Sequence, residues 1–329
     1  MANCICSHLQ SGGGNFLTLP HLFIRHKEKR NWKEYNEHLI RRGEILFSLN
    51  FLEKWDEEIE KMNRGKRGRP YEYPESFAVF MKILHDCIHI RYRQIEGFLR
   101  ALSKYIPNIK APSFSQIRRR AIKIEIPLPK TLKEGNEDFV IAVDSSGVKV
   151  ANRGEWIRHK WKVRKGWIKV HIAVDVNTKE VVSIEITDES VGDGKMLPSL
   201  VEKAEKNKGK KPTKALADGS YDSRDNFNYL DGNGIEPVIK TRKDASTRAR
   251  GSPSRAKMVR ERKEIGYEGW RDKYKYGKRW MDETTFSRAK REYGEYVSAV
   301  RWKNMVNEIK FQYAMLNVML NGINVYSIV

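Results

Sequence analysis

Cysteine is scarce in this sequence: Cys4, Cys6 and Cys87 are the three among 329 residues, too few for a disulfide framework. Long apolar runs are also missing. The most apolar stretch, Phe311 to Val329, is interrupted by Gln312, Asn317, Asn321 and Asn324, so no segment is expected to span a membrane. No basic-then-apolar leader opens the chain, which makes a cytoplasmic location the expectation. Acid is in short supply too, with 42 Asp plus Glu against 63 Lys plus Arg and a net charge of +21. Such an excess favours a polyanionic partner, because clustered Lys and Arg release counterions from phosphates. At 40% hydrophobic residues the composition excludes a disordered chain, and at about 150 residues per domain the length suggests two domains.

Residues 1–35 read as a peripheral, mobile segment with Gly12, Gly13 and Gly14 and no apolar period. Cys4, Cys6, His8 and His21 lack the spacing of a paired-cysteine zinc knuckle. Residues 36–130 read as an all-helical domain, which the resemblance given below implies to be DNA-end-binding. Its first helical stretch, Asn36 to Met62, has one break at Gly43 or Asn50. Lys61 to Pro70 follows with Lys61, Arg64, Lys66, Arg67 and Arg69 and no acid; it reads as a solvated hinge, a basic arm on DNA phosphates, or both. Beyond Pro74, the stripes Phe77, Phe80, Met81, Leu84, Ile88 and Ile95, Phe98, Leu99, Leu102 have helical spacing. A short helix capped by Ser113 then carries Gln116, Arg118, Arg119, Arg120 and Lys123 on its outer side. Three helices ending in a basic one look helix-turn-helix-like, with the last entering the major groove, although any small bundle with a solvated face has this pattern. His85, Cys87 and His89 sit inside the apolar pattern and read as core or boundary side chains rather than as zinc ligands.

Near residue 130 the pattern turns from helices to strands, and residues 131–329 read as a second domain. Strands are expected at Phe139–Val143, Trp167–Val176, Val181–Ile186, Thr213–Ala217 and Glu236–Ile239, with helices at Lys195–Lys206, after Ser223, and from about residue 280. Thr241 to Arg279, with 14 Lys plus Arg against 5 Asp plus Glu, reads as largely a mobile loop that orders on DNA. The fold class is α/β: a ribonuclease H-like mixed sheet with flanking helices, preceded by an all-helical domain.

Asp144 and Asp218 each follow a short apolar run. At the lips of adjacent strands they would bring two carboxylates within reach of a shared cation, since close carboxylates repel unless a metal neutralises them. The alternative is that each caps a turn. Asp175 has the same local pattern but runs into a hairpin turn at Asn177, and is read as structural; Asp188 and Asp193 are expected to cap or precede a helix. A third acid is needed for two hard cations, and Glu283 is the candidate. Tyr276, Arg279, Glu283 and Lys290 are spaced 3, 4 and 7 apart and return to one helical face. A structural salt-bridge ladder would share that spacing.

With Ile141-Ala-Val-Asp-Ser-Ser146, Ala217-Asp-Gly-Ser-Tyr-Asp222, Glu283-Thr-Thr-Phe-Ser-Arg-Ala-Lys290 and Arg93-Gln-Ile-Glu-Gly-Phe98, the chain resembles, over roughly residues 70–325, the prokaryotic insertion-sequence DDE transposases carrying the Tyr-x2-Arg-x3-Glu-x6-Lys signature. The resemblance implies that Asp144, Asp218 and Glu283 are catalytic and bind two Mg2+ ions, with Mn2+ as a substitute. It implies that Tyr276, Arg279 and Lys290 contact phosphates at the transposon end. It also implies double-stranded DNA partners (terminal inverted repeats and target DNA), a homodimer in the paired-end complex, no membrane, and a nucleoid-associated location. The 64 residues between Asp218 and Glu283 leave no room for the insertion domain of some relatives. The basic aromatic stretch Trp156 to His171, with Arg158, Lys160, Lys162, Arg164 and Lys165, is expected either to grip DNA or to form a strand face. A nuclease of the same fold and a non-catalytic DNA-binding descendant are the rival readings.

Overall fold

A computed structural model describes residues 31–129, 138–150 and 167–327. Residues 1–30 and 151–166, and with them the cysteine and histidine cluster and Arg158, Lys160, Lys162, Arg164 and Lys165, lie outside the described residues. The chain divides into two units, Met1–Leu39 and Ile40–Val329. Of the first, the described residues open helix α1 (Trp32–Leu46) and are exposed. The helical break falls after Leu46, and α2 spans Trp55–Asn63; Gly43 lies inside α1 and Asn50 in the short turn between the two.

Helices α3 (Glu75–Asp86), α4 (Tyr92–Leu102) and α5 (Phe114–Ala121) follow. Of the predicted apolar stripes, Phe77, Phe80, Met81 and Leu84 are buried, as are Ile95 and Leu99 on α4 and Ile117 on α5, and Ile88 and Leu102 are half-buried; Phe98 departs from the expectation, because it lies on the outer side of α4 and is exposed. At the head of α5 the Ser113 backbone N–H donates to Gln116 Oε1 at 3.3 Å, half of a capping box.

The sheet is mixed. Strands β1 (Val140–Val150), β2 (Trp167–Asp175), β3 (Val181–Asp188), β4 (Lys214–Ala217) and β5 (Glu236–Ile239) lie in the order β3-β2-β1-β4-β5. The first three are antiparallel, and β4 and β5 run parallel to β1. A two-residue strand β6 (Tyr296–Val297) pairs with Lys149 and Val150 at the far end of β1. With α6 (Leu197–Lys208), α7 (Arg224–Gly232), α8 (Pro253–Lys273), α9 (Trp280–Tyr293) and α10 (Trp302–Asn321) around it, this is the ribonuclease H-like arrangement expected. Among the described residues no helix is long and apolar enough to cross a membrane.

Each sheet face has its own core. Ile168, Val170, Ile172 and Val174 pack with Phe286 of α9, Ile309 and Leu316 of α10, and Phe77 and Leu84 of α3 in one apolar cluster. Ile141, Val143, Ala173 and Leu216 pack with Leu200 of α6, Phe227 of α7, and Trp270 and Tyr276 in the other. The polar residues that interrupt the C-terminal apolar stretch tie the segments together. Asn317 donates to Val181 O and accepts from Val181 N at 2.8 and 2.9 Å, acting as a ladder partner for edge strand β3. Gln312 donates to Asp86 O at 2.9 Å, at the end of α3. One turn and more upstream, Asn307 donates to the carbonyls of Ile122 and Ile124.

Two expectations are corrected. The stretch Thr241 to Arg279 is not mainly loop, because Pro253–Lys273 is helical with a kink at Gly266 (φ 73°). Its charges hid an inner face of Ala256, Met258, Val259 and Trp270, all buried. Its arginines are anchored as well: Arg255 grips the Asp222 carboxylate with two bonds of 2.7 and 2.9 Å, and Arg262 donates to the Thr241 carbonyl. Second, the strand holding Asp144 does not stop there. β1 continues to Val150 because β2 and then β6 go on supplying partners after β4 has ended.

Candidate active site

What ends at Asp144 is the pairing with β4. Val143 is the last β1 residue paired with that strand, and its partner is Ala217. Asp144 and Asp218 therefore follow directly paired residues on neighbouring parallel strands, the adjacency expected for two cooperating acids. Asp218 also caps a turn: its Oδ1 accepts from the Ser220 backbone N–H at 2.9 Å and from the Ser220 hydroxyl at 2.5 Å. Asp144 Oδ1 accepts from Ser145 N–H at 2.8 Å.

Glu283 enters from the first turn of α9, which a short helical turn, Tyr276–Arg279, precedes. Tyr276 is buried, and its hydroxyl donates to the Ala217 carbonyl at 3.1 Å, one residue before Asp218. This bond pins the start of α9 to the end of β4. Arg279 then reaches three acids. Its guanidinium lies 3.5 Å from Asp144 Oδ2 and 3.6 Å from Asp282 Oδ2, and bonds to Glu283 Oε1. Lys290, two turns further along α9, is half-buried.

Electrostatics show how crowded this edge is. Burial pushes the Asp144 carboxyl above its usual range; the Ser145 N–H and Arg279 pull it down, while Asp218 and Glu283 push in the same direction as burial. Burial, followed by the nearby Asp144 charge, raises Asp282 to about 7. Tyr221, in the turn after Asp218, is fully buried, and its hydroxyl has no hydrogen-bond partner among the described residues. Burial raises it, and Asp144, Asp193, Asp218 and Asp282 add to the rise.

The donor chemistry suits a hard divalent cation, since the three predicted acids offer carboxylate oxygens and buried, unpartnered polar atoms stand beside them. The tips are not gathered into a shared ligand set, however: among the described residues no group of three or more His, Cys, Asp or Glu side chains is placed to hold a metal ion. Arg279 stands between Asp144 and Glu283, giving carboxylates that would otherwise repel one another a counter-charge.

Asp282 and Tyr221 are the residues of this edge that the sequence reading missed. Asp282 was detectable as the acid three residues after Arg279, on the same helical face; Tyr221 lay within the quoted Asp218 block. Asp175 is structural: it accepts from Asn177 and Thr178 N–H groups and pairs with Lys208 at 3.0 Å. Asp193 pairs with Lys169 at 3.1 Å and lies 3.8 Å from His171, and Asp188 caps the turn at Ser190. Cys87 is buried, and His85 bonds Asp86 and stacks on Tyr92. Of the basic helix α5, Arg118 and Arg119 are exposed, while Arg120 lies over the rings of Tyr71 and Tyr73 and donates to the Tyr73 carbonyl.

Sequence comparison supplies the family. Residues 136–318 match the profile described as Transposase DDE domain, and residues 40–153 match a second profile of the same description. The chain belongs to the transposase DDE domain family. Among solved structures it is similar to the piggyBac transposase in a synaptic complex with hairpin DNA, at 11% identity over 88% of this chain and 76% of that one, with a TM-score of 0.37. A likeness that distant adds nothing to the assignment.

Proposed function

We propose that this chain is an insertion-sequence transposase that binds terminal inverted repeats, cleaves the element's ends and joins the freed 3′-hydroxyls to target DNA. The observation that carries the reading is the placement of Asp144 and Asp218 after the paired residues Val143 and Ala217, with Arg279 bridging Asp144 to Glu283. Asp144, Asp218 and Glu283 would hold two Mg2+ ions, or Mn2+ in their place. Bound there, the ions supply Lewis-acid activation of the attacking oxygen and stabilisation of the leaving one in an in-line phosphodiester substitution.

The protein's own part is placement and charge. Arg279, half-buried against the acids, can neutralise them before substrate arrives and offer its fork to a phosphate afterwards. Tyr276 acts through the Ala217 carbonyl, fixing α9 against β4 so that Glu283 faces the strand ends. Lys290 and the exposed Arg118 and Arg119 are suited to DNA phosphates, and Lys240, Arg242, Lys243 and Arg271 line a cleft next to Asp218 and Trp280. Binding two ends at once calls for two protomers.

The test is a strand-transfer gel with precut ends, Mg2+ and a plasmid target. Products covalently joined to the plasmid are expected. Asp144→Asn, Asp218→Asn and Glu283→Gln should each lower cleavage by about 1,000-fold or more, as a loss of about 4 kcal/mol of transition-state stabilisation implies, while leaving duplex binding intact. Cleavage without joining would reduce the reading to a nuclease; undiminished cleavage by any of the three variants would remove it.

A further inference from the structure

The helical region contains two segments that could face DNA, and their geometry is unequal. Between α3 and α4 lies the short turn Cys87–Arg91. The Cys87 and Ile88 N–H groups donate to the Ile83 carbonyl at 3.0 and 3.2 Å, and Ile90 N–H donates to Leu84 O at 2.9 Å. His89 takes a left-handed backbone, φ 64°, which costs a non-glycine residue about 1 kcal/mol. Its ring stacks against Tyr296 at 6.2 Å. Between α4 and α5 the connection is much longer, from Ser103 to Ser113. A tight turn joining two helices is the helix-turn-helix form, and it belongs to α3 and α4.

The two candidate helices also present different ends. A groove-reading helix meets the bases with its N-terminal residues. At the start of α5 that place is taken from within the chain: Phe114 N–H donates at 2.7 Å to one carboxylate oxygen of Glu96 on α4, whose other oxygen is bonded to Arg100, so the first N–H of α5 is already engaged by its neighbour. α4 begins with Arg91, Arg93 and Gln94, all exposed; Gln94 Oε1 accepts from the Arg91 N–H at 3.3 Å and the Arg93 guanidinium lies 4.8 Å from the Phe114 ring centroid, contacts between surface groups that a base edge would have to displace. Arg pairs bidentately with guanine and Gln with adenine. Around the helix, Arg93, Gln94, Gly97, Phe98, Arg100 and Ala101 occupy one exposed side, opposite buried Ile95 and Leu99.

Gly97 sits in the middle of that side. A glycine inside a helix is unfavourable relative to alanine, so its presence needs a reason. Among the described residues there is none, because a Cβ added at Gly97 would meet nothing of them within 4 Å. The missing side chain makes room for something outside the chain.

We propose that α4, and not α5, is the helix that enters the DNA major groove and reads the sequence of the transposon end. Arg91, Arg93 and Gln94 face base edges, Gly97 is the point of closest approach, and Arg118 and Arg119 of α5 hold the flanking phosphates. This rests on the reading that the chain recognises DNA ends by sequence.

In vitro selection with the full chain and a randomised duplex library tests both statements separately. The unaltered chain is expected to select a motif. Arg93→Ala and Gln94→Ala should then relax the preference at individual base pairs by about 5- to 150-fold, the worth of a bidentate contact. Arg118→Ala and Arg119→Ala should weaken all duplexes alike and each reduce the salt slope by about 1. Gly97→Ala should raise the melting temperature while weakening the selected duplex by about tenfold, a combination that poor folding does not produce. If a motif is selected but the α4 variants keep it unchanged, or if Gly97→Ala binds the motif as tightly as the unaltered chain, the assignment of α4 is overturned and end recognition stands. If no motif is selected, both are overturned.

Discussion

Along α10 the buried polar groups are committed to other parts of the chain. The amides of Asn307, Gln312 and Asn317 bond backbone groups of three separate segments, and Glu308 accepts from the Ser298 and Ala299 N–H groups, each at 2.8 Å. At the acid edge of the sheet the opposite holds. Asp282 Oδ2, Arg279 Nε, the Tyr221 hydroxyl and His171 Nδ1 are buried without a hydrogen-bond partner among the described residues. Each such group costs about 1–3 kcal/mol. The contrast is one of concentration: unpartnered buried atoms also occur singly in the scaffold, as at Ser76 Oγ, Tyr293 OH and Asn321 Oδ1 at the end of α10, but at the acid edge several gather beside the carboxylates, a cost that a substrate or ion can relieve.

The largest test of that contrast is Arg279→Ala. Removing one partner of a buried charged cluster costs about 3–5 kcal/mol, so urea unfolding in EDTA should show a loss of about that size. Mg2+ should recover part of it, because a cation can replace the lost counter-charge. Equal losses with and without Mg2+ would make Arg279 ordinary scaffold. Next in size, Asn317→Ala removes both bonds to Val181 and should cost about 2–4 kcal/mol, the same with or without Mg2+. A metal-dependent loss there would erase the distinction between the two clusters.

The smallest effect is expected at His171. Burial holds its pKa below 6.5; Asp193 opposes that shift, and Lys169 adds to it. The imidazole is thus neutral in the fold, while the unfolded chain takes up a proton below about pH 6.5. Its contribution to stability is therefore present above pH 6.5 and is lost as pH falls toward the folded value. Thermal unfolding at pH 7.5 and 5.5 should show a loss at the lower pH, and His171→Gln should shrink that loss by about 1 kcal/mol or less. An unchanged pH difference in the variant would place His171 with the satisfied groups.

The contrast also explains what could be read in advance. The strands of the sheet were legible because apolar runs ending in Asp, Asn or Gly have few other interpretations. Asp144 and Asp218 were legible as neighbours for the same reason, since their strands sit side by side. What escaped depended on partners distant in sequence. α8 was hidden because its lysines and arginines outnumber the few apolar residues that anchor it, and Arg255 finds its carboxylate on Asp222. The course of β1 past Asp144 depends on β2 and β6. Nor could spacing alone indicate that Arg279 would reach Asp144 on β1 in addition to the acids three and four residues along its own helix.

The continuation of β1 gives the three acids unequal freedom. Asp144 sits inside a strand bonded along its length to β2 and anchored at its far end by β6, so it can hardly move without unzipping the ladder. Asp218 rides on a four-residue strand and a short turn. Glu283 projects from a helix whose leading end is fastened to the sheet by side-chain bonds, from Tyr276 to the Ala217 carbonyl and from Arg279 to Asp144. In the reaction proposed above, any adjustment of the acids would fall on α9, with Asp144 as the fixed jaw and Glu283 as the travelling one.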